Sequence, residues 1–182
     1  MTSKEQLHAA IEVSNWALVS RICDEVEFDA TTSPEHTIQF LTYLLLDQIQ
    51  EARFLWKRIP EALRTPEISS AYRLFCCLWH REHANFFQEV QASQEVWSPT
   101  SRPVAEAMVL AVRERVLDLV SQSFLSIPTT ELASMMGVDG LTAEQAARDR
   151  NWTAAGDGFI RPVVVAQTSE PFVISDMKLK KI

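Results

Sequence analysis

The sequence predicts a mainly α-helical protein, in which degenerate tetratricopeptide-like (TPR-like) helical repeats run into a winged helix. Apolar residues recur at helical spacing through most of the 182-residue chain, which is long enough to bury a core. The composition includes only 4 glycines, which disfavours a fold built from sheets and tight turns. Near the end of the chain the spacing changes to short extended runs around a glycine-containing turn, and this change predicts a small hairpin.

The N-terminal segment is predicted to contain three helices. Lys4–Val13 and Asn15–Val26 have amphipathic spacing and predict a helical hairpin. After a polar loop, Ser33 is expected to cap a third helix that begins at Pro34, because proline is favoured in a first helical turn. The segment Ile38–Leu46 of this helix is apolar nearly all round, so we expect it to be buried.

A fourth helix within Ile49–Arg64 places five apolar residues on one side, namely Ile49, Ala52, Leu55, Trp56 and Ile59. Trp56 is interpreted as a core residue because of its large apolar area. Phe54 points to the opposite side, where a core position and a partner surface are equally favoured. Pro60 is expected to end the helix, because it disfavours helical geometry at Ile59.

A second pair of helices repeats this arrangement. Thr65 followed by Pro66 is a capping residue with a favoured first-turn proline, and the helix that follows carries apolar residues as far as Trp79. His83–Val90 is predicted to return antiparallel to it. Successive pairs are spaced by about 34 residues, as in tetratricopeptide repeats, although the exact repeat signatures are absent. A loop is predicted over Gln91–Arg102.

The longest predicted helix runs from Val104 to about Leu125 and connects the repeats to the C-terminal part. Its apolar side comprises Ala107 or Met108, Ala111, Val112, Val116, Leu119, Val120 and Phe124. Ile127-Pro128 is expected to end it.

A helix–turn–helix is predicted next. Thr129 or Thr130 is expected to cap a short helix, which Gly137 ends by adopting left-handed geometry. Thr142 is expected to start a second helix that runs to Asn151, because a glutamine three residues later completes a capping box.

The remaining residues predict a hairpin and a tail. Trp152-Thr153 and the apolar run Phe159–Ala166, broken by Pro162, flank a turn that contains two glycines. A last strand is possible at Phe172–Ile174. Four regions are therefore predicted: a helical-repeat subdomain (1–102), a connecting long helix (103–127), a winged-helix subdomain (128–168) and a tail (169–182).

Charge and cysteine content exclude several classes of function. A net charge of -7 disfavours nonspecific binding to nucleic acid or to an anionic membrane. The N-terminus lacks the apolar core of a signal peptide, and the chain has only 3 cysteines, two of them adjacent. These features predict reduced thiols and a location in the cytoplasm and nucleus.

Candidate catalytic and metal sites are weak. Cys76, Cys77, His80 and His83 form the one metal-like cluster, but adjacent cysteines point about 100° apart on a helix and the four cannot converge. The cysteines are interpreted as buried core thiols. A Gly-x-Ser-x-Gly elbow and a His-Glu-x-x-His motif are both absent from the sequence. We therefore expect no enzyme activity, no metal and no cofactor.

The hairpin contains the better interface candidates. Phe159, Ile160 and Arg161 are expected to form an open edge strand, which is a template for pairing with another chain. Val163 follows them after a proline that would limit the pairing, and Phe54 is a second candidate contact.

Three segments carry a family resemblance: Ala52–Pro60 (Ala-Arg-Phe-Leu-Trp-Lys-Arg-Ile-Pro), Leu119–Ile127 (Leu-Val-Ser-Gln-Ser-Phe-Leu-Ser-Ile) and Asn151–Thr153 (Asn-Trp-Thr). A helical array that contains them and runs into a winged helix resembles the PCI-domain family, and within it the subunit-eight group of the COP9 signalosome. The resemblance spans roughly Ile38–Pro162. The sequence departs from the family in having no apolar helical period after Asp176.

The resemblance implies a non-catalytic scaffold subunit of the COP9 signalosome, the complex that removes the ubiquitin-like protein Nedd from cullin-RING ubiquitin ligases. It implies a hetero-oligomer with other PCI subunits, with subunit three as the partner by analogy, joined through their winged helices. Two alternatives stay open. One is a PCI subunit of the proteasome lid or of the initiation factor three complex, and the other is a winged-helix nucleic-acid-binding protein.

Overall fold

The computed structural model describes residues 3–28, 35–154 and 158–163. Within these residues the chain forms nine α-helices: α1 (Ser3–Glu12), α2 (Trp16–Phe28), α3 (His36–Leu45), α4 (Ile49–Arg58), α5 (Pro66–His80), α6 (His83–Ala92), α7 (Arg102–Ser123), α8 (Thr129–Met136) and α9 (Gly140–Asp149). One 3-10 helix, Glu61–Leu63, and three short strands complete it: β1 (Ile127–Pro128), β2 (Thr153–Ala154) and β3 (Phe159–Arg161). The mainly helical fold class is confirmed. Among the described helices, none combines the length and hydropathy that a bilayer span requires.

The N-terminal hairpin of α1 and α2 is confirmed. Ser14 turns the chain with a φ of 54°, and the Asn15 side chain accepts a hydrogen bond from the Leu18 backbone nitrogen at 3.2 Å. The third helix begins at His36, two residues later than predicted, and Glu35 precedes it without a side-chain cap. The expected cap at position 33 and the proline at position 34 lie outside the described residues.

The buried helix is α3, as predicted. Its residues from Ile38 to Leu45 are all buried, including the polar Gln39 and Thr42. It packs against α2, α4, α5 and α7. Thr42 satisfies its hydroxyl within the helix by donating to the Ile38 carbonyl at 2.8 Å. A helix that is buried on every side thus forms the centre of the helical array.

The fourth helix, α4, confirms most of its predicted pattern. Ala52, Leu55 and Ile59 are buried, and Ile59 ends the helix in extended geometry with a ψ of 119°. Phe54, on the opposite side, is 47% exposed. Trp56 is only half-buried, so the expectation of a core residue is wrong. Its ring packs between the Tyr72 ring and a guanidinium instead of inside the core.

The second helix pair, α5 and α6, follows the predicted local rules. The Thr65 side chain accepts a hydrogen bond from the Ile68 backbone nitrogen at 3.3 Å, with Pro66 in the first turn. Arg81 ends α5 with a φ of 60°, and α6 packs back onto α5. Phe86 and Phe87 of α6 are buried. The predicted cap and proline start is confirmed.

The long helix α7 lies along α3. Its buried residues include four predicted ones, Met108, Val112, Val116 and Val120. Arg115 donates hydrogen bonds to the Leu44 and Leu45 carbonyls at 2.8 and 2.9 Å, at the C-terminal end of α3. Leu119, predicted on the apolar side, is 37% exposed. This prediction is wrong, because the buried face of α7 beyond Arg115 consists of Val116, Leu117 and Val120 and does not include Leu119.

The C-terminal unit consists of α8, α9 and the three-stranded sheet, in the element order expected for a winged helix. Gly137 ends α8 in left-handed geometry with a φ of 62°, as predicted. The cap of α9 is Asp139, whose carboxylate accepts from the Thr142 backbone nitrogen at 2.8 Å, so the helix starts before the predicted Thr142. The threonine cap of α8 is also wrong, because α8 begins at Thr129 without a side-chain cap, directly after β1.

The division of the chain into repeat subdomain, connecting helix, winged helix and tail stays a prediction, because the core does not separate into matching parts. The buried apolar residues from Leu7 to Ile160 form one cluster. The possible strand at 172–174 and the predicted tail lie outside the described residues.

Candidate protein-interaction surface

The small sheet places the predicted interface strand in its centre. The strand order is β1-β3-β2, with Ile127 opposite Ile160 and Thr153 opposite Arg161, both antiparallel. The prediction that Phe159–Arg161 is an open edge strand is therefore wrong, because β1 occupies the side expected to be open. Sequence reasoning missed β1, since Ile127-Pro128 was interpreted only as a helix end. In the described part of the chain, the outer edges of the sheet belong to β1 and β2.

The four candidate residues of the hairpin divide by burial. Ile160 is fully buried and packs in the core of the unit, so its side chain is not available to a partner. Phe159 and Val163 are 43% and 49% exposed, and Arg161 is exposed as well. The alternation follows from the pleat, since neighbouring residues of a strand point to opposite faces. Phe159, Arg161 and Val163 are therefore the candidates that the structure presents to solvent.

Two further apolar residues lie exposed around the sheet. Leu125 is 86% exposed and Leu141 is 80% exposed. Leu125 precedes β1 and Val163 follows β3, so the antiparallel pairing puts both at one end of the sheet. Leu141 lies at the other end, near Phe159. We call Leu125, Leu141, Phe159 and Val163 the apolar rim.

The position of Leu141 follows from its neighbours. Gly140 lies beside Thr129, with an ideal Cβ 3.9 Å from the Thr129 side chain, and the Thr129 backbone nitrogen donates to the Gly158 carbonyl at 2.9 Å. These contacts bring the first turn of α9 to the start of β3. Sequence reasoning missed Leu141 and Leu125, although an apolar residue directly beside a helix end is a signal that could have found them. Large exposed apolar side chains such as these are candidates for contact with another protein.

A close contact of Gly137 with Phe87 holds the C-terminal unit against the helical array. A Cβ at Gly137 would lie 2.3 Å from the Phe87 Cβ, so this approach requires glycine. Arg113 of α7 completes the contact. It lies over the Phe87 ring at 5.3 Å and donates to the Met136 carbonyl at 3.1 Å. Helices α6, α7 and α8 therefore meet at this contact.

An ion-pair cluster makes a second connection. Arg150, at the end of α9, bonds Asp118 at 2.6 Å and Glu114 at 2.5 Å, both on α7. Although burial opposes it, hydrogen bonds to the two carboxylates raise the pKa of Arg150. Arg148 is paired with Glu144 at 2.9 Å. Because both arginines bond carboxylates, the helix that would read nucleic acid in a winged helix offers little net positive charge.

Phe54 lies on a different surface. Its helix, α4, packs against α3 and α5, whereas β3 packs against β1 and β2. The Lys57 ammonium lies 6.0 Å from the centre of the Phe54 ring. The structure therefore does not bring Phe54 together with the hairpin candidates, and its role in an interface stays a prediction.

The cysteines differ in burial. Cys23 is buried, and burial raises the pKa of its thiol to about 12. Cys76 and Cys77 are half-buried, so the interpretation as buried thiols is only partly right. Burial also raises the pKa of Cys77. In the part of the chain that the structure describes, histidine, cysteine and acidic side chains form no group of three or more with metal-site geometry.

Comparison with known proteins identifies a family. The model of the CSN8/PSMD8/EIF3K family matches residues 33–171. A relative from Xenopus tropicalis is 32% identical over 138 residues, covering 72% of this chain and 70% of the relative. Relatives from Xenopus laevis and Arabidopsis thaliana are 30% and 24% identical, covering 77% and 79% of this chain and 74% and 77% of their own lengths. All three are named COP9 signalosome complex subunit 8.

Proposed function

The chain belongs to the CSN8/PSMD8/EIF3K family, and from this premise we propose that it is a scaffold subunit of the COP9 signalosome. The observation that carries the proposal is the similarity to relatives named COP9 signalosome complex subunit 8 in both frogs and a plant. The complex removes Nedd from cullin-RING ubiquitin ligases, as the family resemblance implies. This chain contributes structure to that complex, and the isopeptidase chemistry belongs to another subunit.

The surface chemistry supports a role in assembly. The exposed groups of the C-terminal unit include the four large apolar side chains of the apolar rim, which suit contact with another protein. The partner that we propose is another PCI subunit, with subunit three as the first choice by analogy. Because β3 is paired on both sides, the contact uses the side chains of the rim and the outer edge of β2 instead of an added strand on β3. The expected locations are the cytoplasm and the nucleus.

Purification of the tagged chain from cell extract tests the assignment to the signalosome. We expect the other signalosome subunits to co-purify with it in fixed proportion, as measured by mass spectrometry of the intact complex. Recovery of the chain without them would overturn the proposal.

A pair of double variants tests the apolar rim. Phe159→Ala/Val163→Ala removes two of its side chains, and we expect the partner subunits to be lost from the purified complex. Val13→Ala/Leu110→Ala removes two apolar side chains that are 71% and 60% exposed, one directly after α1 and the other on α7. This control is expected to retain the complex. Equal retention by both variants would show that assembly uses another surface.

The second candidate is a subunit of the proteasome lid or of the initiation factor three complex. The observation that favours it is the family itself, whose description spans all three groups. The same purification distinguishes them by the subunits recovered. Nucleic-acid binding, a different class of function, would require salt-sensitive binding of duplex DNA by the isolated chain, and the paired arginines of α9 argue against it.

A further inference from the structure

A groove of about 270 Å³ lies between α4 and α5, on the outside of the helical array. Its walls are aromatic and basic, and every lining residue belongs to one of these two helices. The assembly proposed above does not use this groove, since the apolar rim lies on the C-terminal unit. The groove is therefore a second candidate surface for binding, separate from the apolar rim.

Four aromatic rings form a ladder along the groove. Trp56 stacks on Tyr72 with ring centres 3.9 Å apart and planes 10° apart. Tyr72 continues to Phe75 at 5.6 Å, and Phe75 to Trp79 at 5.7 Å. Phe75, the third ring, is 5% exposed, whereas Trp79 at the end of the ladder is 40% exposed. Packing holds these rings in place and leaves apolar surface open at the Trp79 end.

Two exposed cations stand beside this ladder. The Arg53 guanidinium lies over the Trp79 ring at 5.2 Å, and Lys57 lies one helical turn further along α4. Two nearby arginines are neutralised, since Arg58 and Arg73 bond glutamates of α2 and α6 at 2.8 and 2.9 Å, whereas Arg64 lies over the Trp56 ring at 4.3 Å. Of the ion pairs formed by the described residues, none involves Arg53 or Lys57. Within the residues that the structure describes, the positive charge of Arg53 and Lys57 is thus not neutralised by a carboxylate.

The position of Arg53 beside the exposed Trp79 ring favours carboxylate binding. A guanidinium presents its N–H donors in its own plane, where they can bind a carboxylate in a bidentate manner. Lys57 adds a point charge on the same wall. Unpaired cations next to an exposed indole are complementary to a segment that combines carboxylates with an apolar side chain.

We propose that the groove between α4 and α5 binds an acidic peptide segment of another protein. Arg53 and Lys57 bind carboxylates of this segment, and an apolar side chain of the segment packs on Trp79. Single-stranded nucleic acid also uses aromatic rings and cations, but its sites follow the backbone over several nucleotides with a row of positive charges. Two unpaired cations in a short groove on a chain of net charge -7 fit a carboxylate peptide better.

The test uses a fluorescein-labelled peptide of sequence Glu-Glu-Phe-Leu-Glu-Glu and the full-length chain at low ionic strength, with anisotropy as the readout. We expect saturable binding that weakens as salt is added, and weaker binding of the matching peptide with glutamine at every glutamate position. Arg53→Gln/Lys57→Gln is expected to reduce the affinity for the acidic peptide by about tenfold or more. Trp79→Ala is expected to reduce it as well, with thermal unfolding as the check that the variant folds.

The matched control is Arg21→Gln/Arg148→Gln, which removes the same two charges from exposed positions on α2 and α9. It is expected to bind the acidic peptide like the unaltered chain. If both double variants lost the same affinity for the acidic peptide, the binding would depend only on net charge, and the proposal would be overturned. Absence of saturable peptide binding, or tighter binding of a single-stranded oligothymidine, would overturn it too. Because this assay uses the isolated chain, its failure leaves the test of complex assembly unaffected.

Discussion

The helical array and the C-terminal unit use their large apolar side chains in opposite ways. In the array, α3 is buried on every side, and Phe40, Leu41 and Leu44 have no exposed surface. The C-terminal unit buries Ile160 completely but leaves the apolar rim in solvent. The difference indicates that the apolar residues of α3 stabilise this chain alone, whereas those of the rim are available to another protein.

The largest expected effect comes from opening the core of the array. Phe40→Ala removes a fully buried ring that contacts Trp56 and Phe75, and we expect it to lower the free energy of unfolding by about 3–5 kcal/mol. Chemical denaturation measures the change. The matched control is Phe54→Ala on α4, where the ring is 47% exposed, and its effect is expected to stay within about 0.5 kcal/mol. Similar losses for the two variants would contradict the burial pattern.

Two neighbouring residues of β3 separate stability from assembly. Ile160→Ala is expected to lower the free energy of unfolding by about 2–4 kcal/mol, because Ile160 is fully buried between the sheet and its helices. Phe159→Ala is expected to change stability much less and to weaken binding of the partner subunits. Denaturation curves and co-purification of both variants provide the two readouts. A large loss of stability with Phe159→Ala would mean that its ring belongs to the core.

The contact between the two regions depends on a glycine. Gly137→Ala introduces a Cβ that would clash with Phe87 and places a side chain in left-handed geometry, so we expect a loss of about 1–3 kcal/mol. Gly140→Ala is the control, since its Cβ would meet only Thr129 at ordinary contact distance. That variant is expected to keep the stability of the unaltered chain. If both substitutions were neutral in thermal unfolding, α8 would not be held against α6 as the structure shows.

The smallest expected effect is a dependence of stability on pH. Hydrogen bonds from Arg58 lower the pKa of Glu27, with a further contribution from Gln39. Because the folded-state pKa lies below the unfolded value of about 4.3, this stabilisation is present above that pH and is lost as the pH falls through the folded-state pKa. Solvent screening limits it to at most about 1 kcal/mol.

Urea midpoints measured between neutral and acidic pH test this expectation. Glu27→Gln is expected to flatten the acid limb of the stability curve, whereas Glu25→Gln, in a pair that is 70% exposed, is expected to leave it unchanged. An acid limb that is the same in all three proteins would rule out a contribution from Glu27.

Features set by neighbouring residues were predictable from the sequence. The Thr65 cap, the left-handed Gly137 and the buried helix α3 were all found, because each depends on a few consecutive residues or on helical spacing. The wrong cap of α9 arose because two nearby residues can both cap that helix. Both Asp139 and Thr142 can cap α9, and the structure uses Asp139, whose position allows the helix to start directly after the turn.

The candidate site was less predictable, because exposure depends on residues far apart in the chain. β1 pairs with β3 across more than thirty residues, and this pairing moved the predicted edge strand to the centre of the sheet. Trp56 has the spacing of a core residue, yet Tyr72 and Arg64 hold its ring at the border of the core. Neither outcome can be obtained from local spacing.

By itself the sequence determined the helical fold class, most helix positions and the family, since propensity, caps and motif residues are local properties. The tertiary structure alone decided which apolar residues remain exposed and which cations remain unpaired. Burial and charge pairing depend on the neighbours that the fold supplies. The apolar rim and the groove between α4 and α5 therefore became visible only in the folded chain.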